Sequence, residues 1–413
     1  MRTLLGLVIA SGAMAPPLAA QNAGAASGTV APREPVVANA APRSPSNRSS
    51  LADKRPWSVR MVETVMTRHP VVHEKWDYTA GLVLTGVERL GDRTGDARYR
   101  KYVQDNMARL VQPDGSIATY RADEFNLDQI NQGRLLFPLY ARTRDARYDK
   151  AISRLRDQLR RQPRTSEGGF WHKQIYPQQM WLDGLYMAEP FYAQYAAIHQ
   201  DTAAFDDVAR QFLLVVRHTR DAKTGLLFHA WDASRSQSWA DSLTGLSQNF
   251  WGRADGWYAM ALVDVLDYLP ASHPDRAALV KTLGDLADAV ARVQDPVTGL
   301  WWQVLDQGSR KGNYLESSAS SMFVYALAKG ARKGYLAPRF ATIARRGYDG
   351  IIANLITVDS AGLVSLHNVC QVAGLGGAQN RSGTYDYYIS EPVVADDYKG
   401  VGAFILASLE LGR

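Results

Sequence analysis

From residue 57 onward the chain alternates two patterns of apolar and polar positions. One is almost wholly apolar, rich in Gly and Ala, and polar only where it begins. It occurs six times, at 76–90 (WDYTAGLVLTGVERL), 126–140, 181–198, 252–266, 316–330 and 397–411. The other is Arg-rich, with apolar residues at helical spacing and one polar face. It occupies 96–111, 145–159, 202–217, 274–290 and 338–352. A helix that is apolar all round is buried on both sides, whereas a helix with one polar face lies outside. Each of the Arg-rich segments is followed by a glycine turn: PDGSIA, EGGFWH, TGLLFH, TGLWWQ and AGLVSL. The alternation repeats with a period of roughly 50–70 residues, the mark of a repeat architecture. It predicts an all-α fold, an (α/α)6 toroid of inner and outer helices, with the sixth outer helix near 58–67.

In such a ring the inner helices run in one direction, so their N-terminal ends meet at one rim. The polar residues there converge: Tyr78, Asp128, Asp183, Arg253, Ser317 and Lys399. Asp183, in WLDGLYM, has two readings. It caps a helix, or it is an acid aimed into a pocket, a role its neighbours Trp181, Tyr186 and Lys173 favour. Asp128 is either a second cap or a carboxylate facing Asp183 that shifts its protonation. Arg253, in FWGRADGW, stands between Trp251 and Trp257. It either grips a substrate carboxylate by two parallel hydrogen bonds or pairs structurally with Asp255. His229, in LLFHAWD, is a structural or a site histidine.

Composition adds an address and a ligand class. Met1–Ala20 has a cationic start at Arg2, an apolar stretch at Leu4–Ala10 and small residues after it, so residues 1–20 read as a signal peptide. The apolar stretch is too short for a membrane span. Residues 21–50 are rich in Ala, Pro and Ser and read as a disordered linker. Residues 51–413 form one catalytic domain, and the chain is expected to be periplasmic or secreted. The single cysteine, Cys370, forms no internal disulfide and reads as a packing residue. The net charge of +6 is dispersed, which suits an acidic partner and gives no patch for nucleic acid. Ten Trp and twenty Tyr, many beside Gly, Asp or His, suit a sugar cleft. No cluster has metal-ligand spacing, so no metal and no cofactor are expected. A monomer or weak homo-oligomer is expected.

The segments HEKWDYTAGLVL, NLDQINQG, WHKQ…QQMWLDGLYM, LLFHAWD, FWGRADGWY and DDYKGVGAF, in this order, resemble glycoside hydrolase family 105, the unsaturated rhamnogalacturonyl hydrolases. The resemblance spans about residues 57–413, and the related unsaturated glucuronyl hydrolases share the fold and the acid. It implies an acidic oligosaccharide made by a polysaccharide lyase, ending in a 4-deoxy-4,5-unsaturated uronic acid. It implies Asp183 as general acid/base and Asp128 as its assistant. Tyr78, Lys173, Trp181, His229, Arg253 and Trp257 would line the unsaturated-sugar subsite, with Lys173 or Arg253 on the carboxylate and 396–402 closing the pocket. Two other readings stand beside this one: a conventional two-carboxylate glycosidase on Asp128 and Asp183, and a glycan-binding toroid without catalysis.

Overall fold

The computed structural model describes residues 53–412. The expected signal peptide and linker lie outside the described residues. Twelve helices form two concentric rings. The outer ring is α1 (Trp57–Arg68), α3 (Ala97–Leu110), α5 (Ala146–Arg161), α7 (Thr202–Thr219), α9 (Arg276–Arg292) and α11 (Arg339–Asn354). The inner ring is α2 (Tyr78–Thr94), α4 (Leu136–Thr143), α6 (Leu182–His199), α8 (Gly252–Val265), α10 (Ser317–Arg332) and α13 (Tyr398–Leu411). A short helix, α12 (Tyr385–Ser390), precedes the last inner helix. The inner ring closes. α2 packs on the 131–135 turn, that turn on α6, α6 on α8, α8 on α10, α10 on α13, and α13 back on α2. The fold is the (α/α)6 toroid that the pattern predicts.

Small residues let these helices approach. A Cβ on Gly402 of α13 would lie 2.6 Å from Leu82 Cγ and 3.0 Å from the Val83 backbone nitrogen of α2. A Cβ on Gly256 of α8 would lie 2.9 Å from Met322 Cβ of α10. Each of these contacts joins residues about one turn from the start of their helices, so neighbouring inner helices run parallel and in step. The glycine turns recur as predicted. Gly115, Gly168, Gly225, Gly299 and Gly362 all take positive φ, between +76° and +90°, where a side chain is strained.

One inner segment departs from expectation. Residues 126–140 are not a single helix. They wind as short 3-10 turns at Leu127–Gln129 and Asn131–Leu135 before α4 begins. Pro138 accounts for the late start. It has no N–H and is tolerated only in a helix's first turn, where that N–H would be unpaired anyway, and it stands third in α4. A second proline, Pro190, sits inside α6 and leaves the carbonyl of Tyr186 without its helical donor. The Asn131 side chain supplies one, at 3.0 Å. That bond ties α6 to the segment carrying Asp128.

Three two-stranded antiparallel ribbons complete the described residues. β1 (Gln179–Trp181) pairs with β2 (Ala230–Asp232), β3 (Ile356–Val358) with β4 (Val364–Leu366), and β5 (Val369–Cys370) with β6 (Val393–Val394). None of the described helices is long and apolar enough to cross a membrane.

Close packing at the α2–α13 seam makes a prediction. Gly402→Val should destabilise the protein by about 1–3 kcal/mol or more, because the intruding methyls meet backbone. Gly284→Ala, in open space on α9, should instead stabilise it by about 0.4–1 kcal/mol. Thermal unfolding of the two variants should move in opposite directions.

Candidate active site

The N-terminal ends of the inner helices carry the candidate residues, and the structure brings them together. The phenol of Tyr78 is pushed well above its usual pKa by burial, with the Asp128 and Asp183 carboxylates adding and Arg253 opposing. Tyr78 therefore lies within electrostatic reach of all three. Lys399 stands beside Arg253, and burial together with that neighbour lowers its pKa.

Asp183 lies in the first turn of α6. Asp77, Asp96, Asp145, Asp201 and Asp397 each cap a helix by accepting a backbone N–H, from Thr79, Arg98, Arg147, Ala204 and Lys399. Asp183 does not. Its carboxylate accepts no hydrogen bond from any described residue, and its buried Oδ2 is unpaired. His229 Nε2 approaches Oδ2 to 3.1 Å but off the line of a hydrogen bond. The side chain of Asp183 stays 14% exposed. Ribbon pairing brings the two groups together, with Trp181 opposite Ala230 and the Leu182 amide donating to the His229 carbonyl at 3.0 Å. His229 Nδ1 pairs with Tyr388 Oη at 2.7 Å. Burial, with Tyr387 and Asp183 adding, keeps that phenol protonated.

Asp128 has a different environment. Lys173 Nζ lies 2.6 Å from its Oδ2 and His172 Nε2 3.4 Å from its Oδ1. Burial opposes ionisation, but Lys173 and His172 outweigh it and hold the carboxyl well below the usual range. Asp128 is therefore a fixed anion. Burial also works against the Lys173 ammonium, and Asp128 outweighs it, so the pKa of Lys173 rises. Lys173 is spoken for, although its side chain remains 23% exposed.

Arg253 is fully buried and held by three acceptors. Nε donates to Ser318 Oγ at 2.8 Å, and Nη2 donates to Glu316 Oε1 at 3.5 Å and to the Cys370 carbonyl. None of these bonds uses Nη1. The alternative partner Asp255 points elsewhere, accepting the Leu227 amide at 3.1 Å. The guanidinium packs on Trp251, 5.3 Å from its ring centre. It is not sandwiched, because Trp257 stacks on Tyr186 at 4.8 Å and meets Tyr78 edge-on. Trp181 stacks with His172 at 4.7 Å and Tyr176 at 4.8 Å and is buried, as Trp257 is. These two Trp residues build the walls and present no open face for a sugar to stack on.

Ser317 Oγ is buried without a partner. Lys399 Nζ bonds Asp397 at 2.9 Å, and both lie within electrostatic reach of Arg253. Sequence reasoning missed His172, Tyr388 and Glu316. His172 adjoins Lys173 and Glu316 adjoins Ser317, so both were within reach, but Tyr388 arrives from a distant segment and carried no local signal. Among the described residues no group of three or more His, Cys, Asp or Glu is placed to hold a metal ion. A cavity of about 360 Å³, lined by Arg89, Arg134 and Tyr268, lies toward the opposite ends of the inner helices and contains none of these residues.

The model of Glycosyl Hydrolase Family 88 matches residues 57–413. A family 105 glycoside hydrolase from C. acetobutylicum ATCC 824 superposes with a TM-score of 0.85 and 44% identity, covering 86% of this chain and 99% of that one. Protein Atu3128 of Agrobacterium fabrum is 41% identical over 230 residues, 54% of this chain and 97% of that protein. The unsaturated rhamnogalacturonyl hydrolase YesR of Bacillus subtilis is 27% identical over 277 residues, 65% of this chain and 74% of YesR. The chain belongs to the family 88 and 105 group of unsaturated uronyl hydrolases, and it is a glycoside hydrolase.

The Asp128 cluster predicts a pH effect. A carboxyl whose folded pKa is depressed contributes stability above its unfolded value, near 3.9, and that contribution is lost as pH falls through the folded value. Lys173→Met should raise the Asp128 titration and shrink the contribution. Carbon-13 NMR of the Asp carboxyls should show one resonance moving up in pH in the variant.

Proposed function

We propose that this enzyme removes a 4,5-unsaturated uronic acid from the non-reducing end of lyase-generated oligosaccharides, with unsaturated galacturonate linked to rhamnose as the preferred end group. The observation that carries the proposal is the state of Asp183: a carboxyl at a helix start that caps nothing and stays partly exposed, where five other helix-start aspartates cap. The similarity to a relative named for rhamnogalacturonyl substrates supports the linkage. The signal-peptide pattern of residues 1–20 supports action in the periplasm or outside the cell.

The substrate is an enol ether, its C4=C5 double bond conjugated to the carboxylate and joined to the ring oxygen. Asp183, protonated, delivers its proton to C4, and positive charge develops at C5 and the ring oxygen. Water adds at C5 and gives a proton to the Asp183 carboxylate, which restores the acid. The C5 hemiketal then opens to a ketone as its hydroxyl proton passes to the ring oxygen. The hemiacetal left at C1 collapses to an aldehyde and releases the neighbouring sugar with its proton. One acid performs both transfers, so Asp128 need not ionise and reprotonate in the cycle. As a fixed anion with Lys173 it binds sugar hydroxyls beside Asp183. Arg253 Nη1, Lys399 and the helix N-termini favour the substrate carboxylate. Tyr78 borders the ring, and His229 faces the Asp183 carboxylate through Nε2.

Incubation with a panel of lyase products tests the substrate. Ultraviolet absorbance of the conjugated bond should disappear fastest with unsaturated galacturonyl-rhamnose ends and more slowly with unsaturated glucuronyl ends. Cleavage of the saturated disaccharide at a comparable rate would overturn the enol-ether chemistry. Asp183→Asn should lower kcat by about a hundredfold to ten-thousandfold with an unchanged Tm, since this carboxylate caps nothing. A folded Asp183→Asn enzyme with near-normal turnover would remove Asp183 from the mechanism.

A further inference from the structure

Behind the rim, on the far side of His172 from Asp128, lies a small cavity bordered by Leu127, His172, Trp181, Gly184, Glu189 and Gln211. It has about 10 Å³ of room for the centre of a water molecule, close to the least that holds one water. Two of its lining residues have a buried polar atom without a partner, His172 Nδ1 and Glu189 Oε2. His172 is 3% exposed and Glu189 1%. Burying such an atom unpaired is costly, and here two share one cavity. Gln211 does not relieve them. Its amide already donates to the Gly168 carbonyl and to Asp207, and its oxygen accepts the Phe170 amide. Gly184 keeps the imidazole face open, because a Cβ there would stand 3.0 Å from His172 Nδ1.

We infer that one water bound in this cavity joins Glu189 to His172 Nδ1, and that Glu189 is a positioning residue for the catalytic cluster through His172 and Asp128. This rests on the proposed role of Asp128. The direction of the chain follows from the surroundings of Glu189. Burial, with Asp207 adding, pushes its carboxyl well above the usual range, while Arg164 and Arg156 oppose. Neither arginine bonds Glu189: Arg164 binds Asp207 at 2.6 Å, and Arg156 donates to the Tyr192 hydroxyl at 3.2 Å. Glu189 is therefore a neutral donor. It donates to the water, and the water donates to Nδ1. The imidazole proton is thereby held on Nε2, which faces Asp128 Oδ1 at 3.4 Å. The histidine becomes a donor fixed toward Asp128, and Asp128 stays an anion between two donors.

Nitrogen-15 NMR of the full chain with labelled histidine tests this without reference to turnover, with His172 assigned by its loss in His172→Gln. In the wild type His172 should show a protonated Nε2 and an acceptor Nδ1. Glu189→Gln retains a donor and should keep that signature and most of kcat. Glu189→Leu should lose the signature and lower kcat roughly tenfold, the effect of one lost hydrogen bond, with little change in KM. A merely structural Glu189 would lower Tm in the Leu variant and leave the His172 shifts untouched, which overturns the proposal. Should Glu189→Leu fail to fold, the wild-type spectrum still decides, because a His172 protonated on Nδ1 excludes the water chain. Failure of the proposed reaction on every lyase product would leave these nitrogen shifts as they are, so the two ideas fail separately.

Discussion

Parallel packing of the inner helices at glycine distance is the constraint on which the site depends. Where Gly402 lies against Leu82, and Gly256 against Met322, the helices are held in step. Their first turns therefore end at one level. Unpaired N–H groups and the positive ends of the helix dipoles gather there, which favours anions over that rim. An acidic sugar suits such a place before any particular side chain is considered. The same geometry brings Asp128, Asp183 and Arg253 from separate repeats into electrostatic reach of Tyr78, and Lys399 into reach of Arg253.

Three inner-ring aspartates show how environment divides labour among identical side chains. Asp264, at the far end of the ring, is buried among Arg89, Arg134 and Lys329; burial opposes its charge, but the cations win and it is a permanent anion. Asp128 is also a fixed anion, but it lies at the rim and is held by Lys173 and His172. Asp183 has no cationic lysine or arginine partner among the described ion pairs and no hydrogen bond, only the off-line approach of His229. The three carboxyls thus differ in their partners, which argues against Asp128 and Asp183 as two equivalent carboxylates working as a pair.

Arg253 illustrates the supporting shell. Its guanidinium is immobilised by Ser318 of α10, by Glu316 just before that helix and by the Cys370 carbonyl of β5. An arginine pre-oriented in this way loses little freedom when it meets a carboxylate. Cys370 contributes through its backbone. Its thiol is buried and raised in pKa by that burial, in keeping with a packing role.

The alternation of wholly apolar and one-faced segments determined the toroid by itself, because burial on two sides or one is written in composition along each helix. The glycine turns were legible for a similar local reason, since positive φ selects glycine. Asp183 could be singled out from its neighbours, but whether it caps or stays free was decided only when the first turn of α6 met His229 and took no bond from the Asp183 side chain. The late start of α4 could have been read from Pro138. The partners could not. Lys173 on Asp128, Glu316 on Arg253 and Tyr388 on His229 span 45, 63 and 159 residues of chain, and no local pattern encodes a contact made by closing a ring. Hydrophobic periodicity is a property of neighbours in sequence, whereas the protonation and orientation of each rim side chain are properties of neighbours in space.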